Sequence, residues 1–309
     1  MTIHDRPAND FDNHGSAGPS LVVVAHGSRD PRTRATIATL LDRVRELRPG
    51  VDVRLGHLGI DEPLLSDTLV GLGTGRAVLV PLLLSRGTHI KRDLPAALAS
   101  APRLHTRIAA PLGPHPLLVE VLYARLAEAG WRMDATSESR GSADAPAGAG
   151  AGAGAAAAAG GGTGTGTGTG TGSGTGSAAR TRRGGAAVVL AAAGSLDPES
   201  AADTRRTAAL LSERLGGVPV VPAYASAASP TVREAVRALA ARGHHRTAVA
   251  SYFTAPGHFA TRSAAAAPWI AAAPLGAHPA MARLLLHRYD QARDAPYDTA
   301  HRDLASVRA

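Results

Sequence analysis

The 309-residue chain contains no cysteine. That excludes disulfides, thiolate metal sites and cysteine nucleophiles, so any metal has to be met by His, Asp or Glu. Aromatic residues make up only 3%, too few for a surface that stacks bases, and no basic run is interleaved with them despite a formal net charge of +8. Lys91 is the sole lysine. Nearly all the positive charge is therefore arginine spread through an Ala- and Gly-rich chain, a compositional pattern that still leaves room for basic clefts holding small anions. No stretch approaches the roughly 18 uninterrupted apolar residues of a membrane span. The opening MTIHDRPANDFDNHGSAGPS carries acids and no apolar segment of signal-peptide length. These absences predict a soluble, cytoplasmic protein with neither a nucleic-acid nor a membrane partner.

What is present divides the chain. From about Gly141 to Ser177 the sequence collapses into Gly-Ala, poly-Ala and Gly-Thr repeats such as GTGTGTGTGTGSGTG. Such a tract cannot bury a core and reads as a flexible linker. The predicted organisation is an N-terminal tail (1–19), a first domain (20–134), the linker (135–184), a second domain (185–293) and a C-terminal tail (294–309). The halves are related to each other. AHGSRDP at 25–31 returns as AAGSLDP at 192–198, RGTHIKRD at 86–93 as APGHFATR at 255–262, and APLGPHP at 110–116 as APLGAHP at 273–279. Three correspondences in the same order indicate a duplicated domain.

Within the first half, LVVVA (21–25), VDVRLGHLG (51–59), AVLVPLLL (77–84) and RIAA (107–110) read as strands. The segments 31–47, EPLLSDTLVGL, KRDLPAALA and 116–129 read as helices, the first opened by an Asp30 cap and Pro31. Alternating strands and helices imply an α/β fold: two tandem doubly wound, flavodoxin-like parallel sheets, with the second half repeating the first.

In such a sheet ligands gather beyond the carboxyl ends of the strands, where crossovers diverge to opposite faces. His26 follows the first strand and His89 the third, and those strands are expected to be neighbours, so the two imidazoles should share a cleft. Glu62, after the second strand, belongs to the same rim. Taken singly, a histidine after a strand serves equally as a turn or packing residue, and His14-Gly15-Ser16 spells the same triplet inside the N-terminal tail. Ser28 and Asp30 have capping as their first reading. His115 and His278, each before a proline at a helix start, read as structural. His244 and His245 precede a strand and so fall at the opposite end of the sheet.

With AHGSRDP, DEP and VPLLLSRGTHIKRDLP in view, the chain resembles the sirohydrochlorin chelatases, class II chelatases that insert a divalent metal into a modified tetrapyrrole. The resemblance spans about 20–130 and 186–292 and is stronger in the first half. It implies that His26 and His89 meet the metal and take protons from the macrocycle, with Glu62 as a nearby acid. It also implies a divalent metal as substrate (Fe2+, alternatively Co2+ or Ni2+), no permanently bound cofactor, and a small-molecule tetrapyrrole partner. Ser28, Arg29, Arg86, Gly87, Lys91 and Arg92 are then the substrate-binding candidates, the cations pairing with the macrocycle's carboxylates. The duplication is asymmetric, since Ala193 stands opposite His26, Leu196 opposite Arg29 and Ser229 opposite Glu62. Only His258 is kept, opposite His89, as a further metal ligand or as a relic. The first half is thus expected to carry the chemistry and the second to wall the cleft. Two other readings stand beside the enzyme: a tetrapyrrole or metal carrier without turnover, and phosphate binding by the backbone after Gly27. The latter lacks a Walker lysine and the full dinucleotide glycine pattern.

Overall fold

The computed structural model describes residues 18–85, 93–132 and 185–295. The linker, most of both tails, and Arg86, Gly87, His89, Lys91 and Arg92 lie outside the described residues. Among the described residues each half forms four strands and four helices. In the first, β1 (Ser20–Ala25), β2 (Val53–His57), β3 (Arg76–Pro81) and β4 (His105–Ile108) alternate with α1 (Pro31–Leu47), α2 (Leu65–Gly71), α3 (Leu94–Leu98) and α4 (Pro116–Glu128). The second repeats the order with β5 (Ala187–Ala192), β6 (Val220–Tyr224), β7 (Thr247–Ser251) and β8 (Ile270–Ala271), and with α5 (Pro198–Arg214), α6 (Val232–Ala241), α7 (His258–Ala264) and α8 (Pro279–Asp294).

Both sheets are parallel, in the orders β2-β1-β3-β4 and β6-β5-β7-β8. The expected adjacency of the first and third strands is therefore present, with Leu21 beside Val78 and Val24 beside Pro81. Strand pleating sorts side chains between two faces. Leu21, Val23 and Ala25 join a core that also contains Val188, Leu190 and Ala192, while Val22 and Val24 pack under α2 and α3. Ala187, Val189 and Ala191 face the other way, toward Val232 and Leu239 of α6. One continuous core thus joins the inner faces of both sheets, and each outer face has its own smaller cluster.

The helices filling that joint core are exchanged. α4, which ends the first half, packs on α5 and β7 of the second; α8, which ends the second, packs on α1, β3 and β4 of the first. The exchange is pinned by equivalent arginines. Arg125 of α4 donates to the Leu275 carbonyl at 2.9 Å, and Arg288 of α8 donates to the Leu112 carbonyl at 3.2 Å. Leu112 and Leu275 are the same position of the repeated APLG motif. Further ties follow: Arg48 at the end of α1 pairs bidentately with Asp290 of α8 at 2.9 Å, Arg214 at the end of α5 pairs bidentately with Glu120 of α4 at 2.8 and 3.1 Å, and Tyr289 donates to the Pro19 carbonyl at 2.6 Å.

Helix starts follow the sequence signals. Asp30 and Asp197 accept from the backbone N–H two residues on, each before a first-turn proline. His115 and His278 cap α4 and α8 in the same way, Nδ1 accepting from Leu117 N and Ala280 N at 3.1 Å. Their structural reading holds. His244, at the opposite end of the sheet as expected, lies 2.9 Å from the Gly185 carbonyl before β5.

Candidate active site

The strand order makes the crevice between β1 and β3 the place where crossovers part. The corresponding crevices of the two halves open into one cavity of about 1240 Å3. Its lining includes His26, Ser28 and Arg29 after β1, Leu84 and Ser85 after β3, and from the second half Leu196, Tyr252 and His258. Both halves therefore wall the cleft, as the duplication led one to expect.

The loop carrying His26 is held by its own backbone geometry and by one buried acid. Gly27 has φ +92°, and a Cβ there would run into the Gly59 carbonyl oxygen, so only glycine fits the turn. Ser28 N donates to Asp61 at 2.8 Å, and Ser28 Oγ accepts from Asp30 N at 3.1 Å. Asp61 is buried, with Arg34 at 4.0 Å from its carboxylate. His26, immediately beyond β1, is left exposed at the cleft. The second half repeats the turn, with Gly194 at φ +93° against the Ser226 carbonyl and Ser195 Oγ accepting from Asp197 N at 3.1 Å. Loop geometry is conserved between the halves where the side chains that differ, His26/Ala193 and Arg29/Leu196, face the cavity.

Loops also clasp each other across the cleft. Thr33 at the start of α1 donates to the Pro256 carbonyl, two residues before His258, at 2.6 Å. Its counterpart Ser200 in α5 lies 2.8 Å from Ser85 Oγ, at the exit of β3. The Tyr252 hydroxyl donates to the Leu84 carbonyl at 3.2 Å and sits 3.3 Å from Thr207 Oγ1. Burial pushes the Tyr252 phenol well above its ordinary value, so it stays a neutral donor.

Of the sequence candidates, His26, Ser28, Arg29 and His258 come together on this cleft. Glu62 is exposed and is not among the residues lining it. The acid that touches the His26 loop is its neighbour Asp61, which sequence reasoning passed over. The sole signal for it was its place in the same DEP triplet. Ile60 was also missed: it lines the cleft, 63% exposed, with φ +71°. For a β-branched residue that backbone region costs on the order of 1–3 kcal/mol. Among the described residues no three His, Asp or Glu side chains gather as a cation cage, and no helix is long and apolar enough to cross a membrane.

Comparison with known proteins agrees with this architecture. Sirohydrochlorin cobaltochelatase of Methanopyrus kandleri is 28% identical over 137 residues, covering 36% of this chain and 96% of its own length. It thus corresponds to a single half. The chloroplastic sirohydrochlorin ferrochelatase of Arabidopsis thaliana is 30% identical over 113 residues, 34% of this chain and 50% of that protein. Among solved structures, SirB from Bacillus subtilis with Fe3+ superimposes with a TM-score of 0.60 at 19% identity, over 89% of this chain and 96% of the other. At that identity the likeness speaks for the fold. The CbiX family model matches twice, over residues 20–129 and 187–292. The resemblance to the sirohydrochlorin chelatases is thereby borne out, and the chain belongs to the CbiX family, carrying one CbiX unit in each half.

Proposed function

We propose that the protein inserts a divalent metal into sirohydrochlorin, with Fe2+ as the metal and sirohaem as the product. The observation that carries this reading is the cleft of about 1240 Å3 shared by two CbiX-matched halves, with His26 presented at the β1/β3 crevice. Metallation has to remove two pyrrole N–H protons while a dication passes to four ring nitrogens. A neutral imidazole accepts a proton near pH 7 and binds borderline cations such as Fe2+ and Co2+ without the grip of a thiolate. His26 fills that role, with His258 reaching the cleft from the second half; His89, outside the described residues, and Glu62, beside the buried Asp61, are assigned to the same chemistry by the family resemblance. Arg29 lies on the cleft to pair with the macrocycle's carboxylates, with Ser28 beside it; Arg86, Gly87, Lys91 and Arg92, outside the described residues, are assigned to substrate binding by the family resemblance alone.

A second reading, cobalt insertion, is favoured by a specific observation: the relatives from Methanopyrus kandleri and Methanosarcina acetivorans are both named sirohydrochlorin cobaltochelatases. Both metals suit the same imidazole donors. The test is anaerobic. Purified protein is given sirohydrochlorin with Fe2+, Co2+ or Ni2+ in turn, and the macrocycle's absorbance is followed for the parent, His26→Ala and His258→Ala. Multiple turnovers that collapse in His26→Ala and persist in His258→Ala are expected, with the ranking of metals separating sirohaem from cobalt chemistry. Stoichiometric binding with no acceleration over the spontaneous rate by any metal would overturn the enzyme and leave a carrier.

A further inference from the structure

Six large hydrophobic side chains stand exposed among the described residues, and three of them, Ile60, Leu196 and Phe259, line the one cleft. None is placed there by the needs of its own loop. Leu196 is 87% exposed, in a turn whose shape is set by Gly194 and by the Ser195–Asp197 hydrogen bond on either side of it. Its counterpart in the first half is the cation Arg29. Ile60 is a β-branched residue at φ +71°, a position glycine or asparagine would occupy with less strain. At 63% exposure its side chain contributes little to the core in return. Phe259 follows His258, its ring 5.8 Å from the imidazole. Leu196 and Phe259 come from the second half, whereas the first half presents His26 and Arg29 together with Ile60. The change from Arg29 to Leu196 and from His26 to Ala193 therefore makes the turn of the second half apolar where the equivalent turn of the first is polar.

We propose that Leu196 and Phe259 of the second half, with Ile60 of the first, form apolar seats for the flat, conjugated faces of the tetrapyrrole, a role that rests on the chelatase reading and extends it to how the substrate is held. A macrocycle ringed by carboxylates has its apolar surface only on its two faces. A seat for one face must be apolar and projecting, and the partners of its carboxylates must lie around it. This division matches Leu196 and Phe259 of the second half and Ile60 of the first as the apolar contacts, with Arg29 as the cation at the edge. The second half thus acts in substrate binding as well as in enclosing the cleft.

The test uses the full chain and metal-free sirohydrochlorin as probe, titrated anaerobically by absorbance and fluorescence, followed by steady-state metallation. The variants are Leu196→Ser, Ile60→Gly and, as a control on an exposed hydrophobic residue outside the cleft lining, Val70→Ser. Leu196→Ser and Ile60→Gly are each expected to raise the dissociation constant and KM for the tetrapyrrole by roughly tenfold, the loss of one apolar contact. With uniform binding removed, kcat stays within about twofold of the parent. Ile60→Gly should also melt no lower than the parent, because glycine accepts the left-handed backbone that isoleucine strains. Dissociation constants equal to the parent's, or a loss confined to kcat, would overturn the seat while leaving the chelatase reading intact. A parent that neither binds nor metallates sirohydrochlorin would overturn both.

Discussion

Severing the chain within its Gly-Thr tract is the sharpest probe of the exchanged helices. Fragments 1–150 and 170–309, co-expressed, should purify as a stable heterodimer even though no peptide bond joins them. α4 buries Leu118, Val119, Val121, Leu122 and Leu126, and α8 buries Met281, Leu284, Leu285, Leu286 and Tyr289. Both helices bury these side chains in the core shared with the other half. At about 1.5–3 kcal/mol per large side chain, these residues contribute on the order of 15–30 kcal/mol gross. Association costs about 4–15 kcal/mol. The middle of those ranges leaves about 13 kcal/mol, whereas a dissociation constant of 1 µM requires about 8 kcal/mol. Size-exclusion chromatography with light scattering at micromolar concentration, and native mass spectrometry, read the outcome. Two separate, monodisperse monomers would refute the exchange, because they would mean that each C-terminal helix folds back on its own half. Arg125→Ala or Arg288→Ala in the severed pair should weaken association further, since each removes a charged donor from a carbonyl of the other fragment.

The repeated turns make a paired prediction. Gly27→Ala and Gly194→Ala should each lower stability by about 2–4 kcal/mol and by similar amounts, because both place a Cβ against a backbone carbonyl at positive φ; denaturant midpoints check this, and a tolerated substitution at either turn would contradict the geometry. A pH dependence follows from the two histidine caps. Burial, with Arg288 and His287 beside His115 and Arg125 beside His278, holds both imidazoles below the ordinary value of 6.5. The unfolded chain therefore binds more protons near and below pH 6.5. The caps' contribution is fully present above that pH and is lost as the pH falls through the lowered folded values, when Nδ1 takes a proton and no longer accepts from Leu117 or Ala280. The double variant His115→Asn with His278→Asn caps without titrating and should flatten the acid limb of midpoint against pH; an unchanged limb would assign the acid sensitivity elsewhere.

Much of this protein is written locally. The apolar runs 21–25, 77–84 and 186–192 have no polar alternation to place them at a solvent-facing sheet, so they had to become buried parallel strands. Asp30-Pro31, Asp197-Pro198 and the two His-Pro pairs fixed helix starts within a residue, because a cap and a first-turn proline act through neighbouring backbone alone. The repeats fixed the duplication, and a histidine at the end of β1 beside β3 followed from the strand order that such a duplication implies. Other features became visible only in three dimensions. The periodicity of 116–128 and 279–294 says that each helix has an apolar face, but the same face satisfies either sheet, so the exchange of α4 and α8 is decided by which core closes without a gap. Asp61 rather than Glu62 meets the His26 loop because the turn after β2 buries the first acid of the triplet and exposes the second. Leu196 and Ile60, unremarkable as letters, acquire meaning from standing in solvent on the rim of a shared cleft. Sequence determines what each segment must bury; tertiary structure alone determines against what, and which groups are left facing the cavity.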